Sequence, residues 1–114
     1  MADVTGNPLL FTKATLLDAK IHRDWKIQPA TDFNHCRGIR FLPVTLSEFS
    51  QVALEQPIVF VEDGDIIVPV AVLGLNDTNN LFIDETGIWD GRYVPAYARM
   101  YPFILAPRKD GKGY

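Results

Sequence analysis

The chain has 114 residues and a formal net charge of -3, and 47% of its residues are hydrophobic. This length fits one domain, and the apolar content suffices for a core that needs no disulfide or metal. The negative charge argues against binding to nucleic-acid phosphates, and no apolar run approaches the roughly 20 residues of a membrane-spanning helix.

Charge is divided along the chain. All 11 Lys and Arg residues lie outside 41–91, and that central stretch carries nine of the 14 acidic residues. The basic flanks and the acidic centre could pair with each other or with a protein partner, although solvated charge is the simpler interpretation.

The single cysteine, Cys36, excludes an internal disulfide and fits a reducing compartment. The N-terminal stretch MADVTGNPLL carries an acidic residue and no basic one, unlike a secretory signal. We therefore expect a cytoplasmic location, with association to the cell envelope left open.

The N-terminal third is predicted to lack helices. Segments 9–17 and 20–29 are expected to be extended, since Ile21, Trp25 and Ile27 roughly alternate with charged residues. Residues 32–40 are expected to form a loop, because Gly38 interrupts them.

A helix over about 45–55 is the clearest local prediction. Thr45 as N-cap and Glu48 three residues later form the pattern of a capping box. Pro57 would end the helix, because the residue before a proline disfavours the helical region.

An antiparallel β meander is predicted over about 58–89. Two β-rich runs flank Asp63-Gly64, a dipeptide typical of a hairpin turn in which both central residues need a positive φ. Pro69 cannot donate to a ladder, so its strand should have an edge or a bulge there. A third short strand is predicted at 80–84, followed by a turn and a short pairing at 88–89.

The C-terminal part contains three tyrosines at helical spacing. Pro95 suits the first turn of a short helix over about 95–101, which would place Tyr97 and Tyr101 on one face. We expect these rings to pack on the sheet with their hydroxyls at the rim; stacking on a ligand is the alternative. A strand would follow at 103–106. The whole chain, 1–114, is thus predicted to be one α+β domain, with the antiparallel meander packed by both helices.

No assembled reactive centre is evident in the sequence. His35 and Cys36 are adjacent, and neighbours in an extended chain point to opposite sides, so they do not suggest a catalytic dyad. One mixed set of possible metal ligands exists: His22, Asp24, Asp32 and His35. His22 and Asp24 resemble the start of a facial triad for iron, but the second histidine comes too early for the usual spacing. Calcium at the acidic turns is the other alternative, and turn chemistry explains the same residues without a metal. We predict no catalytic residue, no metal and no cofactor.

A series of short motifs follows a fixed order between Pro43 and Phe103. They are Pro43, Glu48 and Phe49 at the helix start, then Pro57–Phe60, Leu73–Leu75, Asn80–Phe82, Gly87 with Trp89, and Tyr93, Pro95, Ala96, Arg99 and Tyr101–Phe103. In order and spacing this series resembles the SapC family of bacterial proteins. Val44 stands where leucine is usual. Family members are typically longer, and the resemblance covers their N-terminal half, which implies a chain truncated at its C-terminus.

The resemblance implies a link to surface-layer or envelope systems and carries no catalytic residues to this chain. Two hypotheses follow. The first is a non-catalytic accessory protein with a protein partner, or a homo-oligomer formed through an exposed strand edge at 66–70. The second is an enzyme, or half of one, that modifies a peptide or an amino-acid side chain and is completed by a partner or a C-terminal part.

The second hypothesis requires a ligand pocket, for which six side chains are candidates. They are His22, Asp24, Trp89, Tyr93, Arg99 and Tyr101. Among them Arg99 could hold a carboxylate between tyrosines. The simpler expectation for Arg99 is a salt bridge to Asp84, Glu85 or Asp90.

Overall fold

The computed structural model describes residues 10–76, 79–106 and 110–111. In chain order they form a 3-10 helix (Asn34–Cys36), strand β1 (Phe41–Pro43), a second 3-10 helix (Leu46–Glu48) that continues into helix α1 (Phe49–Val52), strands β2 (Ile58–Asp63) and β3 (Ile66–Val72), and helix α2 (Ala96–Arg99). The predicted α+β class with an antiparallel sheet is confirmed.

The sheet has three strands in the order β1-β3-β2, and both pairings are antiparallel. The β2–β3 hairpin was predicted, whereas β1 lies in the stretch 32–43 for which no strand was expected. A strand of three residues that ends in Pro43 offers too few positions for a period-2 pattern to be seen.

The hairpin turn lies one residue later than predicted. Asp63 pairs with Ile66, so the two central residues are Gly64 and Asp65. Gly64 has a φ of 59°, and among the described residues no residue other than glycine has a positive φ. A positive φ at the first central position alone, occupied by glycine, is the pattern of a type II′ turn.

Pro69 lies in β3, which is the central strand, but the β1 ladder covers only Val70–Val72, so Pro69 has a ladder partner on the β2 side alone. The pair of Pro69 with Phe60 is not a hydrogen-bonded one, so the Pro69 nitrogen points away from β2 and no bond to β2 is lost. On the other side β1 ends at Pro43, and the Pro69 carbonyl still accepts a hydrogen bond from Val44 N at 3.1 Å. The N–H that Pro69 lacks would therefore have pointed to a position just beyond the end of the β1 ladder. Of the edge expected at 66–70, only Val70 has ladder partners on both sides, and residues 66–69 pair with β2 alone.

Residues 80–84 are not a strand, and this prediction is wrong. The side-chain amide of Asn80 donates to the Cys36 carbonyl at 3.2 Å, and its backbone N–H donates to the Arg37 carbonyl at 2.9 Å. These bonds replace a ladder. The short pairing predicted at 88–89 is present as a single bridge between Ile83 and Trp89. Residues 103–106 form no strand either, since the structure gives them no ladder partner in the described part.

Both predicted helices are present, and both are shorter than expected. The first begins after Thr45, whose N–H donates to Glu48 Oε1 at 2.9 Å, as a capping box requires. It ends at Val52 instead of residue 55, and a turn follows. In the second, Pro95 is the N-cap of α2.

The core lies where the sheet meets both helices and the loops before and after them. Its members share near-complete burial, and those with at most 1% exposure include Leu42, Val52, Leu73 and Cys36. Residues 11–33 contain a turn and neither helix nor strand, and they cross the outside of this core. In the described part of the chain, no helix has the length and apolar character needed to span a bilayer.

Candidate functional site

Glu48 is a buried carboxylate that joins the first helix to the C-terminal part of the chain. Its side chain is 4% exposed. Oε1 accepts the Thr45 N–H, while Oε2 accepts the Tyr93 hydroxyl and the Ala96 N–H, each at 2.9 Å. Every one of these donors is fixed by backbone or packing, so the carboxylate has a structural role.

Arg99 lies beside this cluster at the end of α2. Its Nη2 donates to the Tyr93 hydroxyl at 3.3 Å, its Nε donates to the Val94 carbonyl at 2.9 Å, and the guanidinium lies 5.6 Å from the centre of the Tyr93 ring. The expected salt bridge to the 84–90 carboxylates is wrong, because these neighbours hold the side chain instead. Arg99 remains exposed to solvent.

Tyr101 contacts a histidine from the N-terminal half. Its ring stacks on His35 at a centroid distance of 4.1 Å and an angle of 10°. His35 Nε2 lies 3.1 Å from the Ala98 carbonyl, and since a carbonyl only accepts, this nitrogen carries the proton. Tyr97 packs against the core. The tyrosines of this segment therefore make different contacts instead of one flat display.

Trp89 belongs to the core. It is 7% exposed, stacks on Phe82 at 5.7 Å and meets Phe33 edge-on at 5.9 Å. Its indole N–H and Gln56 Oε1 are buried without a protein hydrogen-bond partner within the described ranges. The Trp89 ring is enclosed by aromatic side chains and offers no open face to a ligand.

His22 and Asp24 lie in the turn of the N-terminal segment. The ring Nδ1 of His22 accepts the Asp18 N–H at 2.8 Å, and the ring meets Trp25 edge-on at 4.3 Å. Asp24 is exposed. The cavities at His22 and at Tyr101 contain none of the other five candidate residues, so the structure does not bring the six into one pocket.

Cys36 is fully buried, and burial raises the pKa of its thiol to about 12. The thiolate is the reactive form, so this side chain is a poor nucleophile at neutral pH. Among the residues that the structure describes, no three His, Cys, Asp or Glu side chains converge as metal ligands would.

The raised pKa makes a testable prediction. We expect the Cys36 thiol to react with a disulfide reagent about a thousandfold more slowly in the native chain than in urea, because the thiolate fraction falls with the pKa. Above about pH 8.5 the Cys36 thiol stays protonated in the native state, whereas it loses its proton in the unfolded chain. Stability should therefore decrease as pH rises above about 8.5 and continue to fall toward 12. Equal reaction rates with and without urea would contradict this account.

An apolar groove lies between the N-terminal segment and the C-terminal residues. It has a volume of about 660 Å³. Side chains from 11–17 and 25–28 form one wall, and residues 102–106 form the other. Sequence reasoning did not find it, because it requires two segments almost 80 residues apart to lie side by side; the alternation of Ile21, Trp25 and Ile27 was the only signal.

Six of the groove side chains are large, apolar and between 40% and 73% exposed; they are Leu16, Leu17, Trp25, Ile27, Phe103 and Leu105. Lys13 and Lys26 also line it. The groove thus combines an apolar floor with positive charge, which is suited to binding.

Comparison with known proteins agrees with the motif order. No curated protein and no solved structure matches the chain significantly. The family model SapC matches residues 17–114, which include the sheet, both helices and the part of the groove formed from residue 17 onward. This chain is therefore a member of the SapC family.

Proposed function

We propose that this SapC chain acts as one domain and as a non-catalytic accessory protein, which binds a protein partner through the apolar groove. The setting we propose is a surface-layer or envelope-related system, reached from the cytoplasmic side. The family supports this setting, and the groove supports the mode of action.

The observation that carries the proposal is the exposure of the groove side chains. Trp25 and Ile27 are 70% and 71% exposed and lie next to Leu105, at 73%. Single exposed apolar residues are ordinary, but a contiguous set around a concavity is typical of an interaction site. Tryptophan is also the residue most enriched among those that dominate binding energy.

The charges around the groove suggest the chemistry of the partner. Lys13 and Lys26 line the groove, and Lys20 and Arg23, together with one carboxylate, Asp18, line a neighbouring depression. A segment with apolar anchors and flanking carboxylates would meet both features. Of the six candidate ligand residues, His22 alone lines this groove.

Substitution of Trp25 tests the proposal. We expect Trp25→Glu to weaken capture of the partner at least tenfold, because it removes a central apolar anchor and places a charge in the groove. The measurement is quantitative pull-down of native-lysate proteins by the full chain, followed by titration of the captured protein.

Leu54→Glu is the matched control, since Leu54 is 77% exposed and does not line the groove. This variant should capture as much partner as the unmodified chain. Equal capture by Trp25→Glu, or loss of capture by Leu54→Glu alone, would refute the groove as the binding site.

A further inference from the structure

Strand β2 leaves one row of backbone groups without a partner in the described part of the chain. It is an edge strand, since the sheet order is β1-β3-β2. The Val72 N–H donates to the Pro57 carbonyl at 2.8 Å, which makes this pair a hydrogen-bonded one. Antiparallel pairs alternate, so residues 59, 61 and 63 bond to β3. The N–H and C=O groups of residues 58, 60 and 62 therefore point outward.

This edge lacks several of the features that usually prevent strand pairing. Residues 58–63 contain no Lys, Arg or Pro and form a regular six-residue strand. The hairpin is also apolar on both faces. Phe60 and Ile67 are 64% and 68% exposed on one face, and Val59 and Ile66 are 38% and 61% exposed on the other.

We propose that a second copy of this chain pairs with the outer edge of β2, antiparallel and about a two-fold axis at Phe60. Phe60 then lies opposite its own counterpart, and Ile58 lies opposite Glu62 of the other copy. This register is self-complementary: three outward donors and three outward acceptors in each chain meet in six hydrogen bonds. The two sheets join into one of six strands.

The charges of the hairpin favour this arrangement. Its tip carries Glu62, Asp63 and Asp65, with no basic residue nearby in sequence. In the proposed register the two Glu62 residues are four positions apart along the strands, or about 14 Å, which exceeds the screening length of about 8 Å at physiological salt. The tips point in opposite directions, and each Glu62 faces an isoleucine instead of a carboxylate.

The inference stands apart from the groove, because β2 does not line it. A dimer through β2 can form whether or not the groove binds a partner. The tests below therefore fail or succeed separately from the Trp25 experiment.

Cysteine cross-linking tests the register in the full chain. In a Phe60→Cys variant the two new thiols would have Cα atoms about 5.5 Å apart, within the range of a disulfide. In Val59→Cys, the matched control, the equivalent distance is about 8 Å, which is too long. The native Cys36 is buried and should not compete. We expect a disulfide-linked dimer from Phe60→Cys and none from Val59→Cys under mild oxidation.

Sedimentation equilibrium from micromolar to submillimolar concentration gives a second test that keeps Phe60. Glu62→Pro removes an outward N–H and leaves the intrachain ladder intact, so we expect the dimer dissociation constant to rise at least about tenfold. Glu62→Gln retains the N–H and should dimerise at least as well as the unmodified chain. An unmodified chain that stays monomeric, equal cross-linking at 59 and 60, or unchanged dimerisation of Glu62→Pro would each overturn the inference.

Discussion

Replacement of Glu48 by alanine is expected to lower the free energy of unfolding by about 3 kcal/mol. The carboxylate accepts hydrogen bonds from the Thr45 N–H, the Tyr93 hydroxyl and the Ala96 N–H. Alanine would leave these donors without their acceptor, in a place where Glu48 itself is only 4% exposed. A buried donor without a partner costs more than the net contribution of the bond that it made.

Urea unfolding followed by circular dichroism measures this loss. The slope of the unfolding free energy against urea concentration should stay unchanged, as expected when only the stability has changed. Tyr93→Phe removes one of the donors and should cost about 1 kcal/mol. Glu85→Ala, in an exposed turn, is the matched control and should stay within about 0.5 kcal/mol of the unmodified chain. A Glu48→Ala variant as stable as Glu85→Ala would mean that the carboxylate does not hold these segments together.

Gly74→Ala is expected to be at least as damaging, with a loss of about 3 kcal/mol or more. A Cβ atom at position 74 would overlap the backbone carbonyl of Asn79, and the side chain of Arg40 lies next to the same point at 3.7 Å. Because the obstacle is backbone and not the end of a flexible side chain, the turn after β3 would have to move. That turn also supplies the Leu73 carbonyl to the Leu81 N–H.

Gly38→Ala is the matched control for this substitution. A Cβ atom there meets nothing within 4 Å, and the backbone of Gly38 is not in the positive-φ region. Alanine lowers the conformational entropy of the unfolded chain, so this variant should be as stable as the unmodified chain or more stable by about 0.5 kcal/mol. Thermal unfolding of both variants provides the measurement. If the Gly74→Ala and Gly38→Ala variants unfolded at the same temperature, the turn would adapt to the extra Cβ atom without loss of stability.

Local signals allowed the fold class, the hairpin and the two helices to be predicted. The capping-box pattern of Thr45 and Glu48 spans only four residues, and the glycine of the hairpin turn is likewise a local signal. The turn was predicted one residue too early. Asp63 pairs with Ile66, so Gly64 occupies the first central position of the turn and not the second. Pairing is a property of two strands and cannot be read from one dipeptide.

The missed elements depend on distant partners. β1 exists because Leu42 can pair with Ala71 on the central strand, both fully buried. Residues 80–84 have strand-like composition, yet Asn80 finds its acceptor at the Cys36 carbonyl, 44 residues earlier. Such contacts leave no periodic trace in the sequence.

The candidate site shows the same limit. The six predicted ligand residues were chosen for their chemistry, and the structure distributes them among the core, α2 and the N-terminal turn. The groove takes only His22 from this set, and most of its other lining residues are aliphatic or aromatic, types that are equally common in a core. Their exposure becomes informative once the chain is folded, because burial and not residue type distinguishes a binding surface from a core.

The two oxygens of the Glu48 carboxylate serve different parts of the chain: one binds the amide of Thr45, and the other binds the amide of Ala96, 48 residues after Glu48. If either segment detaches, the carboxylate turns and its bonds to the other weaken as well. The first turn of one helix and the first turn of the other should therefore open together as one cooperative unit, even though the chain between them passes through the entire hairpin.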